Sequence, residues 1–337
     1  MKMHINRSST IVLLTLVCLP TLIFAGKSDD SERKKNINKS YTVTSNDKLS
    51  IDNSFGDVMV STWDKNEIQV NIEIETEAST DDKAERMMDE ISVSDDRSGN
   101  LISFKTTVEQ MNDHGNHSKG NKSFHINYTI MMPADNPLEI VNQFGKIKMG
   151  DRKGEVNLTS KFGGLTTGNL ENVGDIDVEF GEASLGNVHN GKVTFKFDGK
   201  SHIDRVSGNV KINSEFSGNV QFSVDNNIDE LSVNESYSTV KMIVSNNLSA
   251  HFEVHTSFGS FNNHTEYMIK EDKDDDEDSG PKFDKDYSGK AGDGKSKIKI
   301  KSSFGKVNMT HAGNKDEDED NDNDSEKHSS KKDKVKV

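Results

Sequence analysis

The sequence predicts an all-β fold: a single-stranded β-helix or solenoid of coils about 18–21 residues long, preceded by a β-rich region with one short helix. Three observations predict it. First, an aromatic residue recurs in a constant setting: Phe55, Phe144, Phe162, Phe180, Phe197, Phe216, Tyr237, Phe258 and Phe304 sit in stretches such as IDNSFGDVMV, IVNQFGKIKM and IKSSFGKVNM. From Phe144 to Phe258 the steps are 18, 18, 17, 19, 21 and 21 residues. Second, apolar residues stand six and four places before the aromatic, as in Leu138 and Ile140, Val210 and Ile212, or Ile298 and Ile300. They return three and five places after it, as in Ile147 and Met149. That alternation is the mark of strands with one buried face. Third, a small or polar residue often lies two places before the aromatic: Asn53, Asn142, Ser160, Ser214, Thr256 and Ser302.

Each copy reads as a strand, a corner and a second short strand. Gly follows the aromatic in six of the nine copies and is expected to supply the positive φ of the corner. Stacked coils would lie about 4.8 Å apart and put like residues above like. An aromatic ladder and a Ser/Asn/Thr ladder are both expected inside, the latter bonding to corner backbone. On this reading Phe180→Ala would cost about 3–5 kcal/mol and Phe283→Ala almost nothing. An antiparallel sandwich or roll also gives alternating strands at this spacing. The fixed period and in-phase ladders favour the coil.

Residues 1–25 have a basic start (Lys2, Arg7), an apolar run from Ile11 to Phe24 and a small Ala25. This is a signal-peptide layout, too short for a typical span, so no transmembrane segment is expected after cleavage. The one cysteine, Cys18, lies within it, which leaves no disulfide for the mature chain. Residues 26–40 are a polar leader. The N-terminal β region, 41–135, contains the alternating Ile68, Val70, Ile72 and Ile74. TDDKAERMMDEI (80–91) reads as a helix that Thr80 can cap, with Ala84, Met87, Met88 and Ile91 on its apolar face. Strands follow near 101–108 and 124–132. The repeats fill 136–310, interrupted by a disordered acidic insert at 271–297, and a disordered charged tail occupies 311–337.

Export and a net charge of −15 argue against nucleic-acid partners. GKAGDGKS (289–296) fits the phosphate-loop pattern, but a strand-like KIKIKSSFG follows where a helix is required. No nucleotide or other cofactor is therefore expected. His114 and His117 with Asp113 do not have zinc spacing, and the alternating Asp316 to Asp324 lack the calcium-loop Gly and Glu, so no metal site is assigned. No catalytic constellation stands out, so an enzyme is not expected.

The segment LSIDNSFGDVMVSTWDKNEIQVNIEIETEAS, with the strand–Phe/Tyr-Gly–strand copies, resembles the exported bacterial "putative adhesin" domains, over about residues 41–310. The resemblance implies a β-helix-like fold with no catalytic residues. The acidic insert and tail depart from it. The expected role is an exported, non-enzymatic binding or structural protein of the periplasm or cell surface, with a protein or glycan of the envelope as partner. The competing roles are a periplasmic part of an envelope-sensing sigma/anti-sigma system and a polysaccharide-acting enzyme.

Overall fold

A computed structural model describes residues 30–109, 122–272 and 283–313. The signal-peptide stretch, the His114/His117 loop, most of the acidic run in the insert and the Asp316–Asp324 tail lie outside them. Along the described chain run β1 (Ser31–Thr42), β2 (Lys48–Ser54), β3 (Val58–Thr62), β4 (Glu67–Ala78), α1 (Asp81–Asp89), β5 (Ile91–Ser98), β6 (Leu101–Val108) and β7 (Ser123–Met132). Then come β8 (Leu138–Gln143), β9 (Ile147–Met149), β10 (Arg152–Lys161), β11 (Gly164–Thr167), β12 (Leu170–Glu179), β13 (Glu182–Lys196), β14 (Lys200–Glu215) and β15 (Asn219–Ser236). The last are β16 (Thr239–Val244), β17 (Ala250–Ser257), β18 (Ser260–His264), β19 (Met268–Glu271), β20 (Asp284–Ala291), β21 (Ser296–Ser303) and β22 (Lys306–His311). The protein is nearly all β, and its strands join into one large, mixed sheet.

Successive copies pair in parallel, with equivalent residues side by side. Asn142 is opposite Asn53 and Ser160, Val178 is opposite Ser160 and Phe195, and Ser214 is opposite Phe195 and Glu235. Alternation fixes this register, because a slip of one residue would turn every Ile and Val of a strand out of the core. One continuous buried cluster runs from Val43 to Met309, and Ile51, Ile140, Ile176, Ile212 and Ile300 are each at most 1% exposed.

The C-terminal copies do not follow sequence order. β21 lies between β15 and β17, parallel to both, and β22 lies likewise between β16 and β18. The last copy is thus inserted ahead of its predecessor. Antiparallel strands cover both ends: β1, β4 and β7, with β5 against β6, at one; β17, β20 and β19 at the other.

Several expectations need correction. The polar leader is largely strand: Ser31–Thr42 pairs along its whole length with β4. Its charged sequence hid it: only Ile37 and Tyr41 reach the core, and an edge strand needs backbone partners more than apolar side chains. The insert is not all loop, because Asp284–Ala291 pairs with β17 and β19. Thr80 is at the N-cap of α1, but its hydroxyl makes no capping bond. Its carbonyl accepts from the N–H groups of Lys83 and Ala84. Ala84 and Met87 fix the helix by packing with Ala78.

Candidate functional site

The corners are built differently from the sequence expectation. All nine repeat aromatics have positive φ, from 51° for Phe197, Phe216 and Tyr237 to 64° for Phe55. The following glycines do not. A left-handed bulky residue is disfavoured by roughly 1–2 kcal/mol, so each corner needs an offset. Part comes from the backbone: the N–H of Phe144 donates to the Lys161 carbonyl, that of Phe162 to Glu179 and that of Phe180 to Lys196, continuing the ladder across the bend. The glycine serves close approach. A Cβ at Gly163 would lie 1.9 Å from the Gly145 carbonyl oxygen, and one at Gly181 2.1 Å from that of Gly163.

The left-handed turn throws the aromatic ring outward. The ladder expected inside is on the surface: Phe162, Phe180, Phe197 and Phe216 are 50%, 48%, 51% and 52% exposed. The rings stack face to face in the order Phe55, Phe144, Phe162, Phe180, Phe197, Phe216, Tyr237, Phe304, Phe258 and Phe283. Centroids are 4.6–5.3 Å apart and the planes lie within 13° of parallel. Half-burying each ring removes on the order of 100 Å² from water, worth about 2.5 kcal/mol, which offsets the strain. Phe283 is the terminal ring of the stack, stacked on Phe258, rather than a bystander in a loop. Phe124 packs edge-on against Phe55 at the other end.

The polar column does lie inside. Asn53, Asn142, Ser160, Ser214, Thr256 and Ser302 are each at most 1% exposed. The Asn53 amide donates to Asn142 Oδ1 and to the Ile126 carbonyl, and the Asn142 amide donates to the Gly56 carbonyl. These bonds tie the corner backbone to the core. In the middle copies the column becomes Val178, Phe195 and then Glu235, all buried. Ser238 N–H and the Ser302 hydroxyl both donate to the Glu235 carboxylate. Asp198 is buried at a corner that lacks the usual Gly. Its Oδ2 accepts from the Ser201 hydroxyl, and its Oδ1 has no protein partner. Burial pushes both carboxyls above their ordinary range.

Beside the rings runs a shallow groove of about 590 Å³, floored by Gly145, Gly163 and Gly181 and edged by Lys146 and Glu182. Its other flank is a row of alternating charge. Lys161, Glu179, Lys196 and Glu215 stand side by side in the parallel register, with Lys161 Nζ 2.9 Å from the Glu179 carboxylate.

The larger cavity, about 750 Å³, is at the phosphate-loop match, lined by Gly289, Gly294 and Lys295 with His251. There the Asp293 and Lys295 N–H groups both donate to Ser249 Oγ, and that of Gly294 donates to the Ala291 carbonyl. Ser296 opens a strand. The amides that would cradle a phosphate are committed to the turn, and no helix N-terminus follows. Among the described residues, no group of three or more His, Cys, Asp or Glu side chains converges as a metal site would. None of their helices is long and apolar enough to cross a membrane.

The exposed stack was missed by following parity. The aromatic stands an even number of places from the buried residues before it, so alternation put it inside. The signal against this was present: apolar positions after the corner are at +3 and +5, so the phase slips there. A side chain at the slip is free of the inward pattern.

No described protein family matches the sequence, and no curated protein matches it. Among solved structures, a "putative adhesin" from Bacteroides fragilis is 11% identical, with 82% of this chain and 97% of that one covered and a TM-score of 0.40. A "putative cell adhesion protein" from Clostridium sporogenes is 15% identical, covering 83% and 100%, with a TM-score of 0.23. A "putative lipid binding protein" from Parabacteroides distasonis is 10% identical, covering 81% and 96%, with a TM-score of 0.30.

Proposed function

We propose that this chain is an exported, non-enzymatic adhesin-like protein of the cell surface or periplasm, and that its aromatic stripe is its binding surface. Residues 1–25 act as the signal peptide. The parallel copies form a β-solenoid of 18–21-residue coils that holds the stripe straight and rigid. The observation that carries the reading is the exposed stack. Ten rings, each about half exposed, present on the order of 1,000 Å² of contiguous apolar surface, well above the largest patch of an ordinary monomer. The backbone of nine of them, all but Phe283, is held in a strained conformation that keeps the ring outward, as strain is commonly held at functional sites. Because the ring faces cover one another, the stripe offers edges to a partner. This suits a long, complementary apolar surface better than a single stacked sugar ring.

The test replaces Phe162, Phe180 and Phe197 together by Ser and measures cell attachment and aggregation, with folding followed by circular dichroism. A folded variant that has lost attachment supports the reading. A folded variant that attaches like the parent refutes it. Protease treatment of intact cells then separates surface from periplasm.

A further inference from the structure

The charges that flank the stripe identify a partner, and this step rests on the reading of the stripe as a binding surface. On one flank the residues just before successive corners are Gln143, Lys161, Glu179, Lys196, Glu215 and Ser236. On the other flank, just after the corners, Glu182 and Lys200 are neighbours. Read backwards about the midpoint between Phe180 and Phe197, the first row becomes its own complement: Lys161 meets Glu215, Glu179 meets Lys196 and Gln143 meets Ser236. In the second row Glu182 meets Lys200 and Asp57 meets Lys306, while Lys146 meets the neutral Thr239.

We propose that the stripe is the seam of a homodimer, occupied by the same stripe of a second copy running antiparallel. A two-fold axis in the plane of the seam, perpendicular to the stripe, brings each flank against its own reversed copy, as an isologous contact requires. Wherever two charges meet across the seam, they are then of opposite sign. The other face-to-face arrangement, parallel and in register, crosses the flanks. It sets Glu179 against Glu182 and Lys196 against Lys200, and such like-charge contacts are costly. The charge pattern thus selects one arrangement.

The area is sufficient. The antiparallel seam overlaps eight rings, Phe55 to Phe304, from each copy. With about half of each ring exposed, it buries roughly 1,600 Å² in total, the size of a stable protein–protein interface. The rings supply the apolar centre, and the charged rows form the rim that sets direction.

The experiment is analytical ultracentrifugation of the full exported chain, its Glu179→Lys and Lys196→Glu variants, and their equimolar mixture. The parent chain is expected to be a dimer. Each variant places two like-charged pairs across the seam and should dimerise about tenfold or more weakly. The mixture should recover the parent affinity to within about threefold, because each opposed pair becomes Lys against Glu again. Recovery on mixing has no source within one chain, so a folding defect does not imitate it. A parent chain monomeric up to about 100 µM, a dimer indifferent to both swaps, or a mixture that fails to recover would each overturn the seam. If the seam fails while the triple Phe→Ser variant still loses attachment, the stripe remains a binding surface for another partner. If that variant attaches normally, the binding reading fails as well.

Discussion

Two columns of side chains run the length of the protein with the same period, and they meet opposite fates. The column two residues before each corner is buried, from Asn53 and Asn142 through Phe195 to Thr256. The column at the corner is half-exposed and left-handed. Only one residue separates them in each copy. One residue of positive φ is enough to reverse the direction in which a side chain points, so position relative to a corner outweighs hydrophobicity. Phe195 and Phe180 carry the same side chain, one wholly inside and the other half outside.

That contrast can be tested in order of expected effect. Phe195→Ala, in the inner column, should cost about 3–5 kcal/mol in urea unfolding. Gly163→Ala should cost about 3 kcal/mol, because its Cβ would meet the Gly145 carbonyl oxygen at 1.9 Å and backbone must shift. Phe180→Ala should cost only about 1–2 kcal/mol, as half the ring is already in water. The sharpest comparison uses glycine. Phe180→Gly should be milder than Phe180→Ala by roughly 1 kcal/mol, because glycine adopts φ 54° without strain. At Phe195, in an extended strand, the order should reverse. If alanine is the milder change at both positions, the corner is not left-handed in solution.

The smallest effect concerns Asp198. Burial raises its carboxyl above the ordinary value, so over the interval between the two the folded chain binds more protons than the unfolded one. Stability therefore falls as pH rises through that interval, and the penalty is full above it. Asp198→Asn removes the charge and places an amide where Oδ1 has no protein partner. Relative to the parent it should therefore be more favourable at pH 7 than near pH 3.5. Urea titrations at the two values check both the sign and the window.

Much of the fold was legible. The alternation of Ile68 to Ile74, the helix near Asp81–Asp89, the all-β class and the burial of the Asn/Ser/Thr column all follow from local period. β1 was not legible, because Ile37 and Tyr41 are the only apolar residues of SERKKNINKSYT and the strand is held mainly by pairing with β4. The stripe was legible as a repeat but not as a surface.

What the sequence by itself determined is the period: which residues recur, which face of each strand is apolar and where each copy turns, since these are set by local chemistry. Only the tertiary structure decided which way each corner points and which copies are neighbours. A strand that pairs in parallel accepts any partner with matching alternation, so β21 sits between β15 and β17 although the chain writes it last. The aromatic faces water because its own backbone turns left-handed at the corner, and the bonds from its N–H to the neighbouring copy that hold this turn exist only after the copies stack.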